Sequence, residues 1–314
     1  MDKIYDLIIL GAGPAGLSAA IYAGRSRLDT LLLEQGQDGG QIALTARIDN
    51  YPGQLDGDSG SSLIARMSAQ AEKAGTNRIR DTIRTAELDR PIKKLAGRNG
   101  DYLAQTVILA AGASPRPIGC KNEDNYVGRG ISFCATCDAP FFRGLDVYVA
   151  GGGNAAVEEA LYLSGFARSV TLIYRTEQLT APKVLQEQAM QNPKLRFLPS
   201  SIVTEAGGEG HDILDRLIVE NVKTGALTEL RANPQDGLLG LFGFLGFQPS
   251  TGLFEGQLEM EGGYLVTDAN MHTSLPGVFA AGDIRKKSLR QVVTAAADGA
   301  IAAVQAARYV RQPK

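Results

Sequence analysis

Asp6-Leu7-Ile8-Ile9-Leu10-Gly11-Ala12-Gly13-Pro14-Ala15-Gly16 decides how this chain folds. The run up to Leu10 has the apolar pattern of a parallel strand buried on both faces. It enters a complete G-x-G-x-x-G, and Leu17 to Ala23 then read as an alanine-rich helix. In such a unit the first glycine permits a tight turn, the second lets backbone approach a pyrophosphate, and the third lets helix pack on strand. The helix N-terminus offers free N–H groups and a partial positive charge to the phosphates. A second strand, Asp29 to Leu33, ends at Glu34, 23 residues after Gly11, where a carboxylate grips ribose hydroxyls. Strand, loop, helix and acid in register predict a dinucleotide-binding unit rather than a plain glycine turn.

The same pattern returns about 140 residues later. Val147 to Ala150 form the strand, Gly151-Gly152-Gly153-Asn154-Ala155-Ala156 the loop, and Val157 to Leu163 the helix. Ala156 replaces the third glycine, a common variant. The next strand, Ser169 to Tyr174, runs into Arg175-Thr176-Glu177. This unit reads either as a nicotinamide dinucleotide site or as a retained fold that has lost its ligand. Thr106 to Ala113 form another buried strand and turn through Ala111 and Gly112, and Pro115 and Pro117 mark an exit. Late in the chain a strand from Gly277 ends at Gly282-Asp283. Arg290-Gln291-Val292 then open a long alanine-rich helix to Tyr309, its N-terminus aimed at a cofactor or simply packed.

Between the loops lies Cys134-Ala135-Thr136-Cys137-Asp138. In a reducing compartment such a pair means redox chemistry or metal. Zinc needs about four ligands; Cys120, His211 and His272 alone could supplement the pair, and none has ligand spacing, so no metal is expected. For redox work a two-residue gap closes a small ring, and the thiolate is the attacking species. A helix beginning near Cys137 would lower a thiol pKa, and Asp138 could give and take the proton of each half-cycle. Cys120 reads as a structural thiol.

The bounding facts agree with an enzyme of the cell interior. Two domains are expected for 314 residues. A formal charge of -2 gives no reason to propose nucleic-acid or membrane-surface partners. The start, Met1-Asp2-Lys3-Ile4-Tyr5-Asp6, lacks the basic and apolar regions of a signal peptide. The longest apolar run, near Leu238 to Phe247, is broken by glycines and about half a membrane span. A cytoplasmic location follows as the expectation.

Taken in order, these motifs carry a family resemblance along nearly the whole chain. The loop Gly11 to Gly16, Gly39-Gly40-Gln41, Asn50-Tyr51-Pro52-Gly53, Cys134 to Asp138, Gly151 to Glu159, Gly282-Asp283 and Arg290 to Gly299 resemble the low-molecular-weight thioredoxin reductases. Each motif is modest, but the order and spacing are specific. The resemblance implies an α/β fold of two Rossmann-like three-layer domains. An FAD domain, residues 1–117 and 246–314, would be split by an inserted pyridine-nucleotide-type domain, 118–245, carrying the cysteine pair. FAD would be held by Gly11, Gly13, Pro14, Ala15, Gly16, Glu34, Gly40, Gln41, Asn50, Ala111, Gly112, Gly282, Asp283, Arg290, Gln291 and Val292. The second loop would contribute Gly151, Gly153, Asn154, Ala155, Ala156 and Arg175. It further implies a homodimer, a large domain rotation in turnover, and thioredoxin as partner. Cys137 would face the flavin, Cys134 attack the partner disulfide, Asp138 act as acid–base residue, and Arg129 help to dock thioredoxin.

At the donor site the chain departs from its relatives. NADPH-dependent members carry H-R-R-x-x-x-R where this chain has Tyr174-Arg175-Thr176-Glu177-Gln178-Leu179-Thr180. Only Arg175 remains of the arginines that grip a 2′-phosphate. Losing two charge-assisted contacts removes roughly 3–6 kcal/mol, on the order of a hundred- to ten-thousand-fold in affinity. The loop also reads Asn154-Ala155 where Asp and then Ser or Thr are usual. NADPH, NADH and reduced ferredoxin stay open as donors. Peroxiredoxin-reducing flavoproteins carry an extra N-terminal domain, whereas here the first strand starts near residue 4. Ferredoxin–NADP reductases of this type lack the cysteine pair. The alternative to an enzyme is a flavin-bound thiol-redox sensor.

Overall fold

The computed structural model describes residues 3–45, 48, 50–55, 57–208 and 213–312; His211 lies outside the described residues. The chain forms two compact units, Met1–Ser114 with Gln248–Lys314, and Pro115–Phe247. It passes from one to the other twice.

The first unit begins with β1 (Ile4–Leu10), α1 (Pro14–Arg25), β2 (Thr30–Glu34), α2 (Gly60–Lys73), β3 (Asn77–Arg80), β4 (Ile83–Glu87), β5 (Lys93–Gly97) and β6 (Asp101–Leu109). The second contains β7 (Ile131–Ser132), α3 (Ala135–Asp138), β8 (Asp146–Ala150), α4 (Asn154–Ser164), β9 (Ser169–Ile173), α5 (Lys183–Gln191), β10 (Leu195–Leu198) and β11 (Gly240–Gly243). The chain then returns to the first unit with β12 (Val278–Ala280) and α6 (Val292–Val310).

In the first unit the sheet order is β3-β2-β1-β6-β5-β4, and β12 also pairs with β6. The nine residues of β6 pair parallel with β1 along one edge and share the other edge between two partners. Its N-terminal half pairs antiparallel with β5, and Val107, Ile108 and Leu109 pair parallel with β12. Side chains of β1 alternate. Leu7 and Ile9 enter the core beneath α1 and α6, whereas Ile8 joins Leu31, Leu33 and Val107 on the opposite face. Both faces are buried, which explains the unbroken apolar run. Helix α1 starts with Pro14, where a missing N–H costs nothing.

The second unit has a fully parallel sheet, β10-β9-β8-β11-β7. A three-stranded antiparallel sheet, Ser201–Gly207, Arg216–Asn221 and Leu227–Arg231, follows β10. The glycine-broken apolar run contains β11, buried at every residue. Among the described residues no helix is long and apolar enough to cross a membrane.

Small residues set the approach of α6 to α1. Ala295, Asp298, Gly299, Ala302, Ala303 and Ala306 form its buried stripe. A methyl at Gly299 would sit 2.0 Å from the carbonyl oxygen of Ala15. Rigid backbone cannot yield as a side chain does. Gly299→Ala should therefore destabilise the protein by roughly 1–3 kcal/mol, seen as a lower midpoint in denaturant unfolding; an unchanged midpoint would show that the two helices part without cost.

Candidate active site

The first glycine loop is held at both ends by backbone. Gly11 N–H donates to Leu33 O at 2.8 Å, and Gly39 N–H to Ala12 O at 2.8 Å. At Gly16 a methyl would lie 1.8 Å from Gly11 O, so this position admits no side chain. Glu34 accepts from Ala12 N–H at 2.7 Å and from Gly36 N–H at 2.9 Å. Each carboxylate oxygen keeps another lone pair for a ribose hydroxyl.

Other expected ligand-binding residues meet around the same unit. Gln41 donates to Ala113 O, and Asn50 Nδ2 to Gln291 Oε1 at 3.1 Å. Gln291 is the N-cap of α6, with a reciprocal capping arrangement to Thr294, and Val292 is the first helical residue. Gly282 N–H donates to Asp298 Oδ2 at 3.1 Å. Asp298 also binds Arg285 at 3.0 Å and Lys287 at 2.7 Å, with all three side chains nearly buried.

Two buried polar atoms here lack a protein partner: Asp283 Oδ1 and Arg290 Nε. Burial pushes the Asp283 carboxyl up, against the pull of Lys287 and Arg290. Arg290 lies over the Tyr264 ring at 4.2 Å. Open space faces a Cβ position at Gly40 and at Gly112, and Gly13 meets nothing nearer than Gly39 O at 3.9 Å. Orphaned buried donors and acceptors beside open backbone suit a polar dinucleotide such as FAD.

In the second unit Cys134 and Cys137 form a disulfide with Cα atoms 5.3 Å apart. The helix expected to begin near Cys137 begins instead at Ala135, with Cys134 as N-cap. The reason is local: Asp138 N–H donates to Cys134 O at 3.1 Å and closes one turn across the pair. A following turn, Ala139–Phe142, is anchored by Phe142 edge-on to Phe242 of β11, ring centroids 5.1 Å apart.

Asp138 is held above the usual carboxylate range by burial, while a hydrogen bond from Ser132 pulls the other way. Ser132 Oγ donates to Asp138 Oδ2 at 2.6 Å and accepts from Cys134 N–H at 3.1 Å. Cys120 is a buried free thiol pushed up to about 12 by burial and Glu123, so it is no nucleophile at neutral pH. Among the described residues no cluster of His, Cys, Asp and Glu could hold a metal. Beyond the disulfide turn, Arg129, Phe141, Phe142, Ile213 and Leu238 line an open surface depression of about 450 Å³; Phe141 and Ile213 are exposed.

The second glycine loop is covered by its own strand end. Gly151 N–H donates to Ile173 O at 2.9 Å. Gly152 O accepts from Thr180 N–H at 2.8 Å and from Thr180 Oγ1 at 3.3 Å. Tyr174 is buried against Gly152, where a methyl would sit 2.8 Å from Tyr174 Cβ. Thr176 Oγ1 donates to Gln178 O at 2.6 Å. Gly153 opens α4 as its N-cap, Asn154 and Ala155 are exposed in the first turn, and Ala156 is fully buried. Arg175 is exposed, and Glu177 pairs with Lys223.

Ser132, Asp298 and Lys223 escaped the reading of the sequence. Asp298, a lone acid on an alanine-rich helix stripe, was the one with a visible signal.

A chain with two nucleotide loops and a redox disulfide has a defined class. The chain belongs to the pyridine nucleotide-disulphide oxidoreductase family, whose profile matches residues 5–299. It is 49% identical over 311 residues to a thioredoxin reductase of Peptoclostridium acidaminophilum, covering 99% of this chain and 98% of that protein. It is also 49% identical over 313 residues to a thioredoxin reductase of Peptoclostridium litorale, covering 99% of both. The crystal structure of thioredoxin reductase from Streptococcus pyogenes MGAS5005 aligns with a TM-score of 0.91 at 42% identity, covering 98% of this chain and 99% of that one.

The raised Asp138 carboxyl carries a stability sign. The native state binds its proton more tightly than the unfolded chain. Its contribution is complete below the ordinary carboxylate range and is lost as pH rises through the raised value. Relative to the unaltered oxidised protein, Asp138→Asn should be more stable at neutral pH than at acid pH. Denaturant unfolding of both proteins at the two pH values checks this; a gap that stays constant or reverses would show that Asp138 is not held as described.

Proposed function

We propose that the protein is a thioredoxin-disulfide reductase in which FAD, bound by the first unit, relays electrons to the Cys134–Cys137 disulfide. The observation that carries this reading is the disulfide closed on one helical turn with the half-buried Asp138 carboxyl at its end. The likeness to thioredoxin reductases along the whole chain supports it. FAD, when bound, supplies the ability to take electrons from a donor and pass a pair to a disulfide. Gly11 to Gly16 and the N-terminus of α1 would hold its pyrophosphate, Glu34 a ribose, and Asp283, Arg290 and Gln291 its remaining polar groups. Residues 1–117 and 246–314 then act as the FAD domain and 118–245 as the pyridine-nucleotide-type domain. A homodimer agrees with this reading.

The chain's own residues run the exchange with thioredoxin. Cys134 as thiolate attacks the partner disulfide, and Cys137 then attacks Cys134, re-forming the internal bond and releasing the partner as dithiol. Asp138 takes a proton when a cysteine thiol becomes thiolate and returns it when a thiolate leaves. The open depression lined by Arg129, Phe141 and Phe142 would give the partner a docking surface of mixed polarity.

Two variants test the cysteines. Cys134→Ser should leave a flavin that can be reduced but abolish turnover with thioredoxin. Cys137→Ser should also abolish turnover while trapping a mixed disulfide between Cys134 and an activated thioredoxin, detectable by mass spectrometry. Full activity in either variant would remove the pair from catalysis, and one round of reduction without turnover in the unaltered protein would favour a sensor.

We place NADPH as the weakest pyridine nucleotide donor here. Thr176 and Thr180 spend their hydroxyls on Gln178 O and Gly152 O, Tyr174 is buried, and Lys223 is paired with Glu177. Arg175 is the one cation of Tyr174–Thr180, the segment that would receive a 2′-phosphate, and it is exposed. NADH or reduced ferredoxin then stands ahead of NADPH. Combining Tyr174→His, Thr176→Arg and Thr180→Arg should raise preference for NADPH over NADH by about tenfold, ~1.4 kcal/mol, in steady-state rates. Efficient NADPH turnover by the unaltered protein at a micromolar KM would overturn this assignment.

A further inference from the structure

We propose that Ser132 is a positioning residue for Asp138, keeping its carboxyl hydrogen-bonded in both protonation states as the disulfide turns over. The inference rests on the reading of Asp138 as the acid–base group. Ser132 is buried at the end of β7, two residues before the disulfide. Its Oγ lies 2.6 Å from Asp138 Oδ2, 3.1 Å from Cys134 N and 3.4 Å from Cys134 O. One hydroxyl thus touches the carboxyl and both backbone polar groups of the first cysteine.

A hydroxyl has one hydrogen and two lone pairs. With Asp138 ionised, the hydrogen points to Oδ2 and the Cys134 N–H fills one lone pair. With Asp138 protonated, the carboxyl O–H donates to the second lone pair. The Ser132 hydrogen then turns to Cys134 O, which has a lone pair left after accepting from Asp138 N–H at 3.1 Å. No polar group is stranded in either state. Alanine at this position would strand the Cys134 N–H and a half-buried carboxyl oxygen together.

The exchange balances through this group. The Cys134 thiolate bonds to one partner sulfur, the partner S–S bond breaks, and its electron pair leaves on the second partner sulfur. Cys137 then bonds to Cys134 and the mixed disulfide breaks. Two electrons and two protons pass from the enzyme dithiol to the partner, which is reduced to its own dithiol. Asp138 carries a cysteine proton between these steps, and the Ser132 hydroxyl turns with each transfer. Other groups near the turn titrate as well. Helix α4, packed against α3, carries Glu158, Glu159 and Tyr162, and Arg143 follows the next turn. Burial and Glu158 hold the Glu159 carboxyl up.

The test is a single-turnover exchange that needs no electron donor. The full-length protein is reduced with dithiothreitol, freed of it, and mixed with oxidised thioredoxin, and thioredoxin thiols are counted over time from acid to neutral pH. Ser132→Ala should slow exchange by about tenfold and move the acid limb to higher pH, because a hydrogen bond favouring the carboxylate is gone. Ser132→Thr, which keeps the hydroxyl, should restore the profile. In an Asp138→Asn background Ser132→Ala should add little. An unmoved acid limb in Ser132→Ala, a threonine variant as impaired as alanine, or additive losses with Asp138→Asn would overturn the inference. Asp138→Asn exchanging at full rate would instead defeat the acid–base reading itself. A measurement on the unaltered protein guards against a variant that does not fold. By NMR the Cys134 carbonyl carbon should titrate together with the Asp138 carboxyl, and a carbonyl that ignores that titration would also overturn the proposal.

Discussion

A carboxyl group and a disulfide share one helical turn, and the turn's geometry is borrowed. Ala135–Asp138 is far too short to be stable as an isolated helix. Its first carbonyl is bound by Asp138 N–H, its N-cap amide by Ser132, and the segment behind it by Phe142 on Phe242. The backbone around the sulfurs is thus held by groups other than the disulfide itself. The same packing partly dries Asp138 and raises its carboxyl above the usual range, while the Ser132 hydrogen bond works against that shift. Stability and chemistry meet at this turn, because the burial that orders it also tunes its acid.

The two glycine loops share a backbone plan but differ in what their neighbours leave available. Around the first, Asp283 Oδ1 and Arg290 Nε are buried without protein partners, and Gly40 and Gly112 face open space. A polar ligand reaching those groups would give them hydrogen bonds and remove a desolvation penalty. Around the second loop several polar side chains already have protein partners. Thr180 caps Gly152 O, Tyr174 fills the space over Gly152, and Glu177 neutralises Lys223. The N-terminus of α4 at Gly153 stays half-exposed, and Arg175 is the one cation of Tyr174–Thr180.

What the sequence made legible is what local pattern encodes. The apolar run to Leu10 and the following G-x-G-x-x-G mark a strand buried on both faces and its turn into α1. The spacing to Glu34 foretells a carboxylate at the loop, although the structure adds that Ala12 and Gly36 N–H groups already hold it. The α6 helix was legible from its alanines, and Cys-x-x-Cys from its compartment chemistry. The start of α3 was missed because it is decided by a single hydrogen bond from Asp138 to Cys134 rather than by a residue preference. Ser132, Lys223 and the Asp298 triad escaped because their partners come from tertiary contact. Lys223, for instance, meets Glu177 across 46 positions.

The central claim is that a flavin and the Cys134–Cys137 disulfide in this chain exchange electrons. Anaerobic titration of the FAD-loaded protein with dithionite, followed by flavin absorbance and free-thiol counting, tests it most directly. The unaltered protein should take up two electron pairs per chain before the flavin is fully bleached, one of them recovered as new thiols on Cys134 and Cys137, and Cys137→Ser should take up one pair. Complete bleaching of the unaltered protein by one pair, with the disulfide intact, would contradict it.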